Sequence, residues 1–210
     1  MDLYGLTGNI GTGKSTVAKM LGDYEILVVY ADEISRQATA RGAGELAEIV
    51  ALFGRDMIDP EGELDRRRLA KRVFADPAAR RQLEEILHPA IVRRSRARFA
   101  ELAGEGHGIA VYESPLLFET GRHAEMAGVI LVTANRAVCL ARVMARDGLA
   151  PEEIEARLAA QQDDGEKKSR ADYRIENDGD LEHLRSQVKR LVARLQERAG
   201  DPVYRGGPPA

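Results

Sequence analysis

The residues with the clearest chemical meaning lie near the amino end, in a glycine-rich segment that follows a short apolar run. Gly8, Gly13, Lys14 and Ser15 meet the spacing G-x-x-x-x-G-K-[ST]. Such glycines let the backbone wrap around a phosphate, so that consecutive N–H groups and the start of the next helix face its oxygens. Lys14 is then expected to reach the β- and γ-phosphates, and Ser15 to bind Mg²⁺. The alternative, a glycine-rich turn with a chance lysine, accounts poorly for the full spacing.

Two acidic residues follow predicted strands and are candidates for the acceptor side of a phosphoryl transfer. Asp32 comes directly after the second predicted strand, which in a parallel sheet places it at the carboxyl edge beside the glycine-rich loop. There it could orient a hydroxyl group and take its proton, or it could simply cap a helix that starts near Glu33. Glu113 ends the third predicted strand. It could be an indirect partner of Mg²⁺ or a substrate contact, or it could have no such role.

Arginines on one predicted helix are candidates for binding phosphate. Arg142 and Arg146 are four residues apart and so share a helix face. Planar guanidinium groups suit phosphate oxygens, although Arg146 could instead form a surface ion pair with Asp147. Cys139, between apolar neighbours, is interpreted as a small core side chain.

Short β-type runs alternate with longer helical patterns and predict a parallel sheet with helical crossovers. The predicted strands are Leu3 to Thr7, Glu25 to Tyr30, Ile109 to Glu113, Val129 to Thr133 and Tyr173 to Glu176. The first helix is expected to end near Gly22 and the last to run from Asp180 to about Arg198 with one apolar face.

Two regions between the strands are predicted to be entirely helical. The stretch from about 42 to 103 reads as several helices interrupted at Asp59-Pro60-Glu61-Gly62, Asp76-Pro77 and His88-Pro89, and is a candidate substrate-binding insertion. The stretch of about 135–171 is rich in cations and suits a lid over phosphates. The remaining core would comprise about 1–41, 104–134 and 172–198, followed by a flexible tail over 199–210.

Composition narrows the class of protein further. The chain has 210 residues, 44% of them hydrophobic, which suits one α/β unit with a small subdomain. A formal net charge of -3 gives no global basic field for nucleic acid or an anionic membrane. Cys139 is the sole cysteine, and there is no run of apolar residues long enough to span a membrane and no leader pattern, so we expect a cytoplasmic, soluble protein.

With these residues in place, the chain resembles the dephospho-coenzyme A kinase family over roughly residues 3 to 198. The resemblance runs in order through Gly5 to Ser15, Ala31-Asp32, Gly62 to Arg66, Leu87-His88-Pro89, Pro115-Leu116-Leu117-Phe118-Glu119, Arg142 to Asp147 and Ile175 to Asp180. Seven ordered segments are far more specific than the glycine-rich loop alone.

The resemblance implies a P-loop NTPase fold of the nucleotide-kinase type, with a five-stranded parallel sheet, a helical substrate-binding insertion and a lid. It implies transfer of the γ-phosphate of ATP, with Mg²⁺, to the ribose 3′-hydroxyl of dephospho-coenzyme A, by a monomer or weak oligomer. The implied catalytic residues are Asp32 as base, Lys14, and Arg142 as the lid arginine. Those implied to bind ATP are Gly8, Asn9, Ile10, Gly11, Thr12, Gly13, Lys14, Ser15, Thr16, Arg142 and Asn177. Those implied to shape the acceptor site are Asp32, Asp65, Arg66, His88, Glu113, Pro115 and Leu116.

Three positions depart from the family pattern. Asn9 stands where glycine is usual, and we attribute its acceptance to the tolerance of asparagine for unusual φ. Tyr30 replaces the usual aspartate two residues before Asp32, which would weaken acceptor or magnesium contacts. Glu113 replaces an aspartate and keeps the charge on a longer arm.

Two other functions remain open from the sequence. A nucleoside or nucleotide kinase of the same architecture would lack the Pro115 to Glu119 run. A GTP-binding switch would need an Asn-Lys-x-Asp guanine signature, and Asn135-Arg136 is not one.

Overall fold

The computed structural model describes residues 1–148, 150–159, 161 and 164–200. The part of the predicted flexible tail from residue 201 onward lies outside these residues. The described residues divide into two compact units, residues 1–29 with the described residues from Leu102 onward, and Tyr30–Glu101. In the described part of the chain, no helix combines the length and hydrophobicity that a membrane crossing requires.

A five-stranded sheet in the order β2-β3-β1-β4-β5 organises the first unit. Its strands are β1 (Asp2–Thr7), β2 (Leu27–Tyr30), β3 (Ile109–Glu113), β4 (Gly128–Thr133) and β5 (Tyr173–Glu176). Strand β1 pairs in parallel with β3 and β4, and β4 pairs in parallel with β5. Every residue of β4 is buried, as expected for a strand covered on both faces. The predicted parallel sheet is confirmed, with strand ends within two residues of those expected.

Helices connect the strands. In chain order they are α1 (Lys14–Gly22), α2 (Ala31–Ala38), α3 (Gly44–Phe53), α4 (Arg66–Ala75), α5 (Pro77–Gly104), α6 (Arg136–Asp147), α7 (Pro151–Ala159), α8 (Asp164–Arg170) and α9 (Leu181–Gly200), with short 3₁₀ turns at Arg55–Met57 and Arg122–Glu125. The apolar face expected on α9 is buried at Leu184, Val188, Leu191, Val192 and Leu195. Leu181 is 60% exposed because it lies in the first turn.

The helix break predicted at His88-Pro89 is wrong, because α5 continues through Pro89. A proline inside a helix removes one backbone hydrogen bond and was therefore expected to end it. Packing on both sides of the proline compensates for this loss: Leu83, Ile86 and Leu87 precede it against an apolar cluster, and Ala90 and Ser95 are buried after it. His88 itself is exposed.

The second unit has its own apolar cluster and one strong ionic contact. Leu46, Ile49, Met57, Leu64 and Leu69 form the buried centre of the cluster. Beside it, the nearly buried Glu45 of α3 accepts hydrogen bonds from Arg93 at 2.7 Å and from Arg94 at 2.7 and 2.9 Å. The Arg94 guanidinium is the main cause that lowers the pKa of Glu45 from 4.5 to about 2.

We expect Glu45→Gln to lower the free energy of unfolding at neutral pH by about 1–3 kcal/mol. Because the folded pKa is depressed to about 2, this stabilisation is fully present above about pH 4.5 and is lost as the pH falls through about 2. Urea denaturation of wild type and variant at a series of pH values measures the difference. The exposed Glu48 of the same helix gives the control variant Glu48→Gln, which should leave stability nearly unchanged. A Glu45→Gln deficit that persists undiminished at low pH would contradict this assignment.

Candidate phosphate-binding site

The glycine-rich loop joins the carboxyl end of β1, the central strand, to the amino end of α1. Gly13 caps that helix with φ 91°, and no side chain caps it. The first N–H groups of a helix have no acceptor within the helix, so this end of α1 favours an anion. The Lys14 ammonium donates to the carbonyl oxygens of Gly8 at 2.7 Å and Asn9 at 3.2 Å, which holds it against the loop.

Close neighbours fix the shape of the loop at two glycines. At Gly11, with φ 82°, a Cβ would lie 2.7 Å from the carbonyl oxygen of Cys139 in α6. At Gly13 a Cβ would lie 2.2 Å from Nδ2 of Asn177. Both approaches are too close for any side chain, so glycine is required by packing as well as by φ.

Asn177, which follows β5, connects three parts of the site. Its N–H donates to Thr133 at the end of β4 at 2.8 Å, and its Nδ2 donates to the Thr12 carbonyl at 2.8 Å. Its Oδ1 accepts from Nη2 of Arg142 at 3.4 Å. The side chain is 6% exposed. The structure therefore brings Asn177, the loop and Arg142 together.

Arg142 carries the clearest unsatisfied charge near the loop. Its Nη1 is buried without a hydrogen-bond acceptor among the described residues, and it would lie 3.9 Å from a Cβ on Gly13. A buried guanidinium nitrogen without an acceptor is costly, and a phosphate oxygen would satisfy it with a charge-assisted hydrogen bond.

The two arginines predicted on one face of α6 behave differently. Arg146 forms two 2.7 Å hydrogen bonds with the carboxylate of Asp147, so the surface ion-pair interpretation is confirmed for it. This pair raises the pKa of Arg146 above its ordinary value.

The acidic end of β3 lies at the same edge of the sheet. Glu113 is 8% exposed and is in register with Leu6, one residue before the end of β1. The chain then turns away, with Ser114 N–H donating to the Leu6 carbonyl at 3.0 Å. Pro115 is half-buried, and Leu116 is 48% exposed.

The other predicted substrate residues, Asp32, Asp65, Arg66 and His88, belong to the second unit. The helix-cap interpretation of Asp32 is wrong, because α2 begins at Ala31 with Tyr30 in the cap position. Asp32 is exposed in the first turn of this helix, where a negative charge is favourable.

Asp65 and Arg66 have contacts within the second unit that the sequence did not predict. Asp65 caps α4 by accepting from the Arg68 N–H at 2.9 Å. Arg66 donates to Oγ1 of Thr39 at 2.7 Å.

Sequence reasoning missed two residues that hold the loop from the lid region. Lys167 of α8 is fully buried, and its Nζ donates to Oδ1 of Asn9 at 2.9 Å. Oε1 of Gln161 accepts from the Ile10 N–H at 2.9 Å. No sequence signal distinguishes Lys167 from the adjacent Lys168, which is exposed.

The φ explanation for Asn9 is also wrong. Glu25 is the one non-glycine residue with positive φ in the described ranges, so Asn9 needs no unusual φ. Its side chain is instead the acceptor for Lys167.

Comparison with known proteins identifies a family. The dephospho-CoA kinase family profile matches residues 3–183. A dephospho-CoA kinase of Anaeromyxobacter dehalogenans is 47% identical over 200 residues, which are 95% of each chain. The structure of TT1252 from Thermus thermophilus is 38% identical with a TM-score of 0.82 and covers 92% of this chain and 97% of that one. A dephospho-CoA kinase structure from Campylobacter jejuni is 28% identical with a TM-score of 0.71 and covers 93% and 97%.

Because no described residue accepts a hydrogen bond from Nη1 of Arg142, we expect Arg142→Ala to weaken the binding of MgATP by about 10- to 100-fold, the value of one charge-assisted hydrogen bond. Isothermal titration calorimetry measures the affinity. The matched control is Arg136→Ala on the same helix, because Arg136 already pairs with Glu155 and is largely exposed. If the two substitutions had equally small effects on the affinity, Arg142 would not belong to the ATP-binding site.

Proposed function

This chain belongs to the dephospho-CoA kinase family, and on that premise we propose that it transfers the γ-phosphoryl group of ATP to the ribose 3′-hydroxyl of dephospho-coenzyme A. The products are coenzyme A and ADP, and the reaction is the final step of coenzyme A synthesis. The single observation that carries the proposal is the unsatisfied Nη1 of Arg142 beside the uncapped start of α1. Both groups call for an anion with several oxygens at the same place.

On the ATP side, residues 8–16 form the loop and helix start that bind the triphosphate, and Lys14 neutralises its β- and γ-oxygens. Arg142 contacts the phosphates, where it also stabilises the charge that develops during transfer. Asn177 holds Arg142 and the Thr12 carbonyl in one arrangement, and its place after β5 suits a position near the adenine.

Ser15 is the residue that fits Mg²⁺. It is exposed in the first turn of α1 and offers a hard oxygen donor, the type this ion prefers. Held there, Mg²⁺ would neutralise charge on the triphosphate. Glu113 is nearly buried at the neighbouring strand end, and its proposed role is to orient that ion or the acceptor.

On the acceptor side, Asp32 orients the 3′-hydroxyl and accepts its proton. Its support is its position shortly after β2, and the fact that Tyr30 rather than Asp32 occupies the cap position of α2. The helical insertion of about 42–103, with Asp65, Arg66 and His88, and the residues Pro115 and Leu116 shape the site for the acceptor. The region of about 135–171 acts as the lid, and the enzyme works in the cytoplasm as a monomer or weak oligomer.

The proposed activity predicts a clear substrate preference. With ATP and Mg²⁺, the purified protein should phosphorylate dephospho-coenzyme A at least about 100-fold more efficiently than nucleosides or nucleoside monophosphates, because these lack most of the acceptor. A coupled assay for ADP measures the rates, and Lys14→Ala, expected to lose orders of magnitude in turnover, controls for contaminating kinases. A preference for nucleosides would assign the chain to another kinase activity, and tight GTP binding without acceptor turnover would favour a switch.

If Asp32 acts on the acceptor hydroxyl, Asp32→Asn should reduce kcat by about 100-fold or more while the affinity for ATP stays within about two-fold. Steady-state kinetics and calorimetry separate the two effects. Glu33→Gln, at the adjacent exposed position in the same helical turn, is the matched control. If Asp32→Asn turned over at the normal rate, Asp32 would have no role in the transfer. Its only effect would then be the favourable negative charge at the start of α2.

A further inference from the structure

Lys167 is a buried cation in contact with the phosphate-binding loop. It lies on α8, is 0% exposed, and makes its two contacts in the described residues through Nζ. One is the 2.9 Å hydrogen bond to Oδ1 of Asn9. The other is an ion pair at 3.1 Å with Oε1 of Glu119, whose side chain is 28% exposed. The charge is therefore shared between a neutral amide in the loop and a carboxylate that water can reach.

Stability alone does not explain a lysine at this position. Removing an ammonium group from water costs several kcal/mol even after relaxation, and one partly hydrated carboxylate repays this only in part. An apolar side chain of similar length, such as methionine, would fill the space without that cost. The benefit of the charge therefore lies in the group that it binds in the loop, the side chain of Asn9.

Asn9 is the residue on which the loop's own hydrogen bonds converge. Its carbonyl oxygen accepts from Nζ of Lys14 at 3.2 Å, from Oγ1 of Thr12 at 2.8 Å and from the Thr12 N–H at 3.3 Å. Lys167 therefore bonds to the side chain of the same residue whose carbonyl oxygen accepts from Lys14. Lys167 is thus connected, through one residue, to the lysine that faces the triphosphate.

The next loop residue is held from the same region of the chain. Gln161, between α7 and α8, accepts the Ile10 N–H at 2.9 Å. Two consecutive loop residues, Asn9 and Ile10, are therefore fixed by side chains from the segment that carries α8. These contacts determine the direction of the loop backbone before it reaches Gly11.

We propose that Lys167 is a positioning residue for the phosphate-binding loop: through Asn9 it holds the loop and Lys14 in the arrangement that binds the triphosphate. The proposal rests on the proposed function for its substrate, ATP, but concerns a residue that does not itself take part in the chemistry. Glu119 keeps the ammonium directed toward the loop.

The test is the affinity for MgATP of Lys167→Met, which keeps the length of the side chain and removes the charge. We expect the dissociation constant and KM for ATP to rise about 10-fold, which is about 1.4 kcal/mol. The KM for dephospho-coenzyme A should stay within about two-fold, since the loss falls on the phosphate loop. Lys168→Met, next to it on α8 and exposed, should bind ATP like the wild type.

A merely structural role gives a different result. Calorimetry would then show fewer active molecules, that is, a lower binding stoichiometry and a lower Tm, with an unchanged dissociation constant in the molecules that bind. That outcome would overturn the proposal, as would equal effects of Lys167→Met and Lys168→Met.

A double-mutant comparison tests the route through Asn9. If Lys167 acts through this side chain, Asn9→Ala should weaken ATP binding by a similar factor, and Asn9→Ala with Lys167→Met should be no weaker than either single variant. Additive losses would show that Lys167 acts on the nucleotide independently of Asn9. Should Lys167→Met not fold, Asn9→Ala alone decides, because it leaves the ion pair with Glu119 intact and an unchanged affinity would contradict the proposal.

These measurements separate the two proposals. ATP affinity is measured without an acceptor, so a wild-type protein that binds ATP but does not phosphorylate dephospho-coenzyme A refutes the proposed reaction and leaves the role of Lys167 testable.

Discussion

The site depends on a loop that cannot hold its own shape. Between Thr7 and Lys14 the backbone is neither strand nor helix, and three glycines with positive φ give it little local stiffness. Its conformation is set from outside, by Asn177 on the Thr12 carbonyl, Lys167 on Asn9 and Gln161 on the Ile10 N–H. All three of these side chains come from more than 140 residues further along the chain, so the loop geometry depends on tertiary contacts as well as on its own hydrogen bonds.

The same arrangement concentrates positive charge at one site, although the chain as a whole has no excess of positive charge. The formal net charge is -3, yet Lys14 and Lys167 both bond to Asn9, and Arg142 lies beside Gly13. Like charges brought this close repel one another unless an anion lies between them. The Glu119 carboxylate offsets part of this charge. In the proposed function, a triphosphate with its Mg²⁺ would offset the rest, so a local site would serve without a basic surface.

The fold could be predicted largely from the sequence because its signals are local. Each strand is a short apolar run, each crossover has helical periodicity, and Gly13-Lys14 marks the start of α1. Pro89 shows where a local rule fails: the packing of Leu87 and Ala90 on either side outweighs the lost backbone hydrogen bond. The start of α2 at Ala31 was missed by two residues, since Tyr30 in the cap position forms no side-chain capping hydrogen bond and is not a typical cap residue.

The site was predicted in part. Loop residues and Arg142 were singled out because their spacing has chemical meaning, whereas the pairing of Arg146 with Asp147 could be decided only by the geometry of α6. Lys167 and Gln161 could not be found, because nothing in a sequence shows which face of a lid helix is buried against residues 9 and 10.

Asn9 shows how a departure from the family pattern can be part of the mechanism. In relatives with glycine at this position, as the resemblance indicates is usual, a buried ammonium corresponding to Lys167 would have no side-chain amide to bond. That ammonium would have to bond to a loop carbonyl oxygen, to a carboxylate corresponding to Glu119 alone, or to the nucleotide. In this chain Oδ1 of Asn9 satisfies the ammonium before any nucleotide binds. If Lys167 positions the loop as proposed, less ordering of the loop accompanies the binding of ATP.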